Sequence, residues 1–339
     1  MIADAIKRLA LSQDLDISMA KECMNEIMSG DATKIQMASF LTSLKMKGET
    51  VDEIFAFAKI MRERSLQVES KHYETLVDTC GTGGDGIHTF NISTAAMFIA
   101  AGAGVRIAKH GNRSITSKCG AADVLESLGA NIENSADAVA KCIEESGIGF
   151  MFAPLFHTSM KHIMPVRKEL GFRTVFNILG PLSNPANAKR QLMGVFDKNL
   201  VLKLAEVLKK LGLKKAMVVH GKDGMDEITL TGDTYVAELD EGNIVEYEIN
   251  PTKFGFKLCN IEDLRGGDAR DNAKILRDIL DGKSDAKSDI AILNSAAAIY
   301  VAGISKSIEE GILIAKDSIK SKKALVIMGK YINCSKSFS

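Results

Sequence analysis

Apolar and polar positions follow two different periods along the chain, and the change comes near residue 70. Up to about residue 66 the spacing is helical. Ile54, Phe57, Ala58 and Met61 recur at intervals of three and four, which gives one apolar face. Thr33 with Gln36, and Thr50 with Glu53, fit the capping box, in which a hydroxyl and a side chain three residues on satisfy exposed N–H groups reciprocally. Asp31 and Gly48-Glu49 mark the breaks, and the first proline is Pro154, so nothing interrupts these helices from within. The pattern predicts a small all-helical domain over 1–67, which alone carries no chemistry.

Past residue 70, short apolar runs alternate with helical ones. Strands are expected at 74–78, 105–108, 148–153, 215–219 and 324–328. Helices are expected at 93–101, 121–128, 136–146, 198–211, 289–303 and 306–320. Residues 235–239 and 244–249 flank Asp-Glu-Gly-Asn and read as a hairpin. Such alternation implies crossover units and a mostly parallel central sheet, an α/β domain over 70–164 and 188–339. Four of the five prolines fall between 154 and 185. That stretch opens on a helical pattern at 159–170 and ends in Leu-Gly-Pro-Leu-Ser-Asn-Pro at 179–185, which is loop chemistry. Residues 165–187 are therefore expected to leave the sheet and rejoin the helical domain.

Composition removes several function classes. The chain has 339 residues, and 43 Lys and Arg balance 43 Asp and Glu. A nucleic-acid binder working through a basic field would carry an excess of the former. Six cysteines are scattered without a CxxC or a Cys/His cluster, and the amino-terminal residues lack the charged and apolar regions of a signal peptide. The apolar run 290–305 is shorter than the ~20 residues a membrane helix needs and is broken by Asn294 and Ser295. The expectation is a cytoplasmic protein with reduced thiols, engaging neither nucleic acid nor membrane.

Four segments carry chemistry. Asp78-Thr-Cys-Gly81-Thr-Gly-Gly-Asp85-Gly lies between a predicted strand and a predicted helix that starts at Asn91-Ile-Ser-Thr94. Glycines allow close backbone approach, and the free N–H groups of a helix start attract anions. Ser93 and Thr94 suit a cap, a phosphate or a metal. A glycine-rich connection with an ordinary N-cap is the plainer account. Neither GxxxxGK[ST] nor GxGxxG with a placed acid is present, which excludes a nucleoside-triphosphatase loop and disfavours a dinucleotide site. The second segment, Lys109-His-Gly-Asn-Arg113-Ser-Ile-Thr-Ser-Lys118, follows the next strand and belongs at the same sheet edge. From Gly86 to Ala122 there is no acid but four Lys and Arg, which favours a phosphate cradle over a solvated basic loop. The third, Asp226-Glu227, suits one or two Mg²⁺ held through water and phosphates. Alone, a solvated turn would account for it. The fourth, around His157, His162 and Arg167, offers apolar residues and one guanidinium to an aromatic acid. A core helix with Arg167 paired to Glu169 or another acid explains it equally well.

These residues closely resemble the anthranilate phosphoribosyltransferase family of tryptophan biosynthesis. GTGGD at 81–85, TFNIST at 89–94, KHGNR at 109–113 and PVRKELGFRTVFNILGPLSNPA at 165–186 carry the resemblance, in order, over nearly the whole chain. It implies a nucleoside phosphorylase-like fold, the class III phosphoribosyltransferase type: a small helical domain hinged to a larger α/β domain, as a homodimer through the helical domain. Association with an anthranilate synthase subunit stays open. The phosphoribosyl pyrophosphate site would comprise Gly81, Gly84, Asp85, Thr89, Asn91, Ile92, Ser93, Thr94, Lys109, His110, Gly111, Asn112, Arg113, Ser114, Ile115, Thr116, Ser117 and Ala121. Anthranilate would meet Gly81, Asn112, His157 and Arg167, and Ser93, Asp226 and Glu227 would serve Mg²⁺, two ions in all. Cys119 and Ala121 stand where the family's usual SKSGS run has serine, which puts a hydroxyl contact at 121 in doubt. No general base is assigned firmly; His110 is the weak candidate. A pyrimidine nucleoside phosphorylase would carry a different phosphate loop. A nucleic-acid-binding relative conflicts with the zero net charge, and an inert subunit with the intact motifs.

Overall fold

A computed structural model describes residues 1–114 and 118–338. Four helices open the chain: α1 (Ile2–Ala10), α2 (Ile17–Ser29), α3 (Lys34–Lys47) and α4 (Val51–Glu63). Both expected capping boxes are formed, at Thr33/Gln36 and Thr50/Glu53. Glu53 does more than cap. Fully buried, it also accepts from the Leu15 amide at 2.9 Å and pairs with Lys47 at 2.9 Å, so one carboxylate ties three segments.

The sheet follows: β1 (Val77–Gly81), α5 (Ile92–Gly102), β2 (Ile107–Gly111), α6 (Ala121–Leu128), α7 (Ala136–Ser146) and β3 (Ile148–Phe152). The chain then leaves through α8 (Ala153–Phe156), a 3₁₀ turn (Thr158–His162), α9 (Met164–Leu170) and α10 (Phe176–Leu182). It returns as β4 (Arg190–Gly194), α11 (Leu200–Lys210), β5 (Lys215–Gly221), β6 (Thr234–Asp240) and β7 (Asn243–Ile249). The last helices are α12 (Ala269–Leu280), α13 (Ala286–Val301), α14 (Ile308–Lys320) and α15 (Lys323–Ser337). The seven strands run in the order β3-β2-β1-β4-β5-β6-β7, parallel as far as β5 and antiparallel beyond. One face of the sheet packs on α5, α6 and α12 to α15. On the other, residues of β4, β5 and β6 share a core with α11, the 163–182 segment and the amino-terminal helices.

Several expectations are corrected. Residues 324–328 are the first turns of α15, not a strand, and the buried Ala324, Met328, Tyr331 and Ser335 continue at helical spacing. A short apolar run is ambiguous until its continuation is weighed. The expected helix at 159–170 is split, because Pro165 has no N–H to continue a helix and instead stands in the first turn of α9. The 179–185 stretch is helical through Leu182, with Pro181 in the last turn of α10. β1 starts at Val77, after a 3₁₀ turn at Tyr73–Thr75. β2 starts at Ile107 and runs through Lys109 and His110, both buried. β4 and α12 were not anticipated.

Candidate active site

The strand order reverses beside β1, whose neighbours are β2 on one side and β4 on the other. Ligands of open α/β sheets bind at such switch points, outside the carboxyl ends of the strands. Here Gly81 closes β1 and pairs in register with Gly194 at the end of β4. Asp226 lies across both. A Cβ on Gly81 would stand 2.4 Å from the Asp226 carboxylate, and one on Gly194 would stand 1.5 Å from its backbone oxygen. The Gly83 amide donates to Asp226 Oδ2 at 2.8 Å. Two strand-end glycines thus clear the space in which one acid is held.

Around this acid the predicted loops converge. Asp85 neighbours Asp226, and Glu227 lies beside the backbone of Ser93 in the first turn of α5. Burial, and then the neighbouring charge of Asp85, raises the Asp226 carboxyl above its ordinary range. Burial, and then Asp226, does the same for Glu227. Crowded carboxylates of this kind are stabilised by a divalent cation, and Ser93, Asp226 and Glu227 fit one. No cluster of three or more His, Cys, Asp and Glu forms a metal cage among the described residues. Two carboxylates and a hydroxyl are oxygen donors that suit Mg²⁺, which keeps water and phosphate ligands. At the same helix start, Asn91 does not cap α5. Its amide donates to Cys119 O at 3.2 Å, linking the two loops. Asn91 Oδ1 and Thr94 Oγ1 are buried without a partner among the described residues. Thr89 bridges to Arg265, Ile92 is buried, and Gly84 O accepts from Arg173, whose guanidinium lies 4.2 Å from the Phe196 ring centre.

The basic loop is arranged differently from its sequence reading. Lys109 is 1% exposed and donates to Thr79 O and to Ser93 Oγ, the latter at 3.1 Å. It supports the helix start from beneath and does not reach over the cleft. Arg113 is held by Asp123 at 3.1 Å and by both oxygens of Glu126. The acid-free stretch ends at 122, and its first compensating acids are the next residue, Asp123, and Glu126 one turn on along α6. Asp123 also accepts from the Ser114 and Gly120 amides, at 3.0 and 2.8 Å. Asn112 is exposed beside Gly111, and Ala121 begins α6. Ile115, Thr116 and Ser117 lie outside the described residues.

On the other wall, the His110 and His157 rings meet tilted by 59°, with centres 4.9 Å apart, and His110 Nδ1 lies 3.1 Å from Gly180 O. Burial pushes His110 down to about 3 and His157 down to about 4, so both are neutral. Each folded-state value lies below the ordinary imidazole value, so the stability this neutrality confers is present above pH ~6.5 and lost as pH falls toward 4. Calorimetric melting between pH 7 and 5 should therefore show falling stability, with a limiting slope of about 2.7 kcal/mol per pH unit for two protons. A His110→Gln/His157→Gln protein should lose that slope; an unchanged slope would contradict the assignment. Arg167 is half-buried, its guanidinium 5.4 Å from the Phe176 ring centre, and burial lowers its pKa. No carboxylate pairs with it among the described residues, so the Glu169 pairing is not formed.

Some contributors escaped sequence reasoning. Asp78, buried in β1, accepts from the His110 amide at 3.3 Å and from Asn184 Nδ2 at 2.7 Å. Asn184 also donates to Ala108 O at 2.8 Å, which stitches the 176–187 return to two strands. A lone acid inside an apolar strand and an amide between prolines were the available signals.

Residues 73–325 match the model of the glycosyl transferase family, a/b domain, and residues 3–65 that of the same family's helical bundle domain. The chain is 55% identical over 325 residues to the anthranilate phosphoribosyltransferase of Methanocorpusculum labreanum, covering 96% of this chain and 95% of that one. With the Acetivibrio thermocellus protein of the same name it shares 51% over 338 residues, covering 100% and 98%. The crystal structure of the Thermus thermophilus anthranilate phosphoribosyltransferase matches with a TM-score of 0.93 at 40% identity, over 98% of this chain and 99% of that one. The Saccharomyces cerevisiae enzyme in complex with phosphoribosyl pyrophosphate and Mg matches at 0.90 and 29%, over 99% and 98%.

Proposed function

The chain belongs to the anthranilate phosphoribosyltransferase family, and from that premise we propose how its cleft divides the work. The enzyme transfers the phosphoribosyl group of 5-phosphoribosyl 1-pyrophosphate to the amine of anthranilate, giving N-(5-phosphoribosyl)anthranilate and pyrophosphate, in tryptophan biosynthesis. The observation that carries the division of labour is Asp226 laid over Gly81 and Gly194, with Glu227 beside the start of α5.

Phosphoribosyl pyrophosphate lies along the glycine loop and the α5 N-terminus. Gly84, Asp85, Thr89, Asn91, Ser93 and Thr94 line it, with Gly111 to Ser114 on the far side. The helix-start N–H groups and the unpartnered Asn91 Oδ1 and Thr94 Oγ1 support this placement. Lys109 acts from below, fixing Ser93 and neutralising the floor. Arg113 shapes the loop through α6, and its charge is spent on Asp123 and Glu126. Ser93, Asp226 and Glu227 hold Mg²⁺, two ions in all, which supply positive charge against the departing pyrophosphate. Anthranilate enters between Gly81, Asn112, His157 and Arg167, its carboxylate on the guanidinium.

In the transfer, the amine lone pair forms the C–N bond to the anomeric carbon as the C–O bond to pyrophosphate breaks, and that electron pair leaves with pyrophosphate. The configuration inverts. Positioning and leaving-group stabilisation carry the rate. The aryl amine is already neutral near pH 7 and gives up its proton late, so no strong base is required. The neutral His110 and His157 keep this wall dry without adding charge.

Residues 1–67 with 165–187 form the helical domain that closes on the α/β domain. In this domain Leu11, Ile35 and Met46 are each more than 70% exposed, which is consistent with a homodimer through it. The six free cysteines fit a reducing compartment, the cytoplasm. The test is loss of anthranilate fluorescence on adding phosphoribosyl pyrophosphate and Mg²⁺ to the purified protein. Steady turnover that stops when any component is omitted is expected; no turnover would overturn the activity.

A further inference from the structure

Asn294 lies in the middle of α13, fully buried in an otherwise apolar run. Its side-chain amide does what a neighbouring strand would do for one residue. Asn294 Oδ1 accepts from the Ile228 N–H at 3.0 Å, and Nδ2 donates to the Ile228 carbonyl at 2.9 Å. Nδ2 also donates to Ile290 O at 3.0 Å, which fixes the amide on its own helix. Ile228 directly follows Glu227 and is itself fully buried. Its backbone groups therefore depend on this amide, since buried N–H and C=O groups left unpaired are costly. The next residue, Ser295, gives its hydroxyl proton to Ala291 O on its own helix and packs against α5, with Oγ 3.4 Å from Ala96 O. Adjacent residues of α13 thus grip the segment that carries Asp226 and Glu227 and the helix whose start presents Ser93.

We propose that Asn294 is a positioning residue for Mg²⁺ binding: it sets the backbone after Glu227 so that Asp226, Glu227 and Ser93 share one site. The inference rests on the reading of Asp226 and Glu227 as the metal's ligands. An amide is needed at 294 because Ile228 presents one donor and one acceptor. An aspartate would supply only acceptors, and a leucine would supply neither. Groups that orient metal ligands are typically worth about 10–100-fold in metal affinity.

The test is Mn²⁺ binding to the full-length protein with phosphoribosyl pyrophosphate and no anthranilate, read from the free-Mn²⁺ electron paramagnetic resonance signal against a protein-free control. Asn294→Leu and Asn294→Ser are compared with wild type and with Asp226→Asn/Glu227→Gln. The serine variant keeps a donor and an acceptor, leaves room for water, and serves if the leucine variant does not fold. Per folded molecule, Mn²⁺ affinity should fall about 10–100-fold in Asn294→Leu and less in Asn294→Ser. The Mg²⁺ activation constant should rise in parallel while the anthranilate KM stays within twofold. If the acid double variant binds Mn²⁺ like wild type, the ligand reading fails and the proposal falls with it. If the acid variant loses Mn²⁺ while both Asn294 variants hold it within twofold of wild type, Asn294 is structural and the proposal alone is overturned.

Discussion

Exchanging Asp226 for asparagine together with Glu227 for glutamine should lower kcat/KM by about 10²–10³-fold, the scale seen when a charge-stabilising group is removed from a site. The Mg²⁺ requirement should shift as well, so that activity responds weakly to added metal. The same exchange should raise the melting temperature measured without Mg²⁺ at pH 8. Both carboxyls are pushed above their ordinary range by burial and by neighbouring acids, so their ionised forms repel one another in the metal-free fold. Removing charge relieves that repulsion, and activity and stability should move in opposite directions. Rate against Mg²⁺ concentration, with calorimetry on the metal-free protein, separates the two effects. An unchanged metal profile would refute the ligand role. A lower melting temperature would mean that the pair stabilises the fold, in conflict with the crowding described above.

Much of this site was legible in the sequence because its parts sit where strands end. The glycine loop, the start of α5 and Asp226-Glu227 all follow buried strands, and parallel strands deliver their carboxyl ends to one edge. What could not be read was which charges are already spent. Lys109 and Arg113 looked equivalent on an acid-free stretch. One is buried beneath Ser93, and the other is taken by acids that begin one residue beyond that stretch. Pairing between elements that close in space leaves no local signal. Two elements of the fold failed to show themselves for related reasons. In β2 a lysine and a histidine were mistaken for loop residues, although Thr79, Ser93, Gly180 and Asp78 supply partners that let them be buried. In α15 an apolar run of five was too short to separate strand from helix. Asn294 registered only as a break in an apolar run, because the backbone it serves lies 66 residues away.

Replacing Arg167 by alanine should raise the anthranilate KM by about 10–100-fold, the equivalent of roughly 1.5–3 kcal/mol for hydrogen bonds to a charged group. The phosphoribosyl pyrophosphate KM should stay within twofold. Two arginines at the cleft differ in their partners. Arg113 has two carboxylates. Arg167 is half-buried against Phe176 and is offered only Met164 Sδ, 3.4 Å from Nη1, with no acid in reach among the described residues. Partial burial without a counter-charge lowers the pKa of this guanidinium and favours an anionic ligand. Anthranilate brings a planar carboxylate that fits its fork, beside a ring that fits the apolar wall. Arg167→Lys should recover only part of the loss, since an ammonium cannot make the paired parallel bonds. Steady-state kinetics with each substrate varied in turn decides the matter. An equal rise in both KM values would remove the carboxylate role. A large fall in melting temperature for Arg167→Ala would show that the side chain holds the fold, where an unpaired charge predicts little loss.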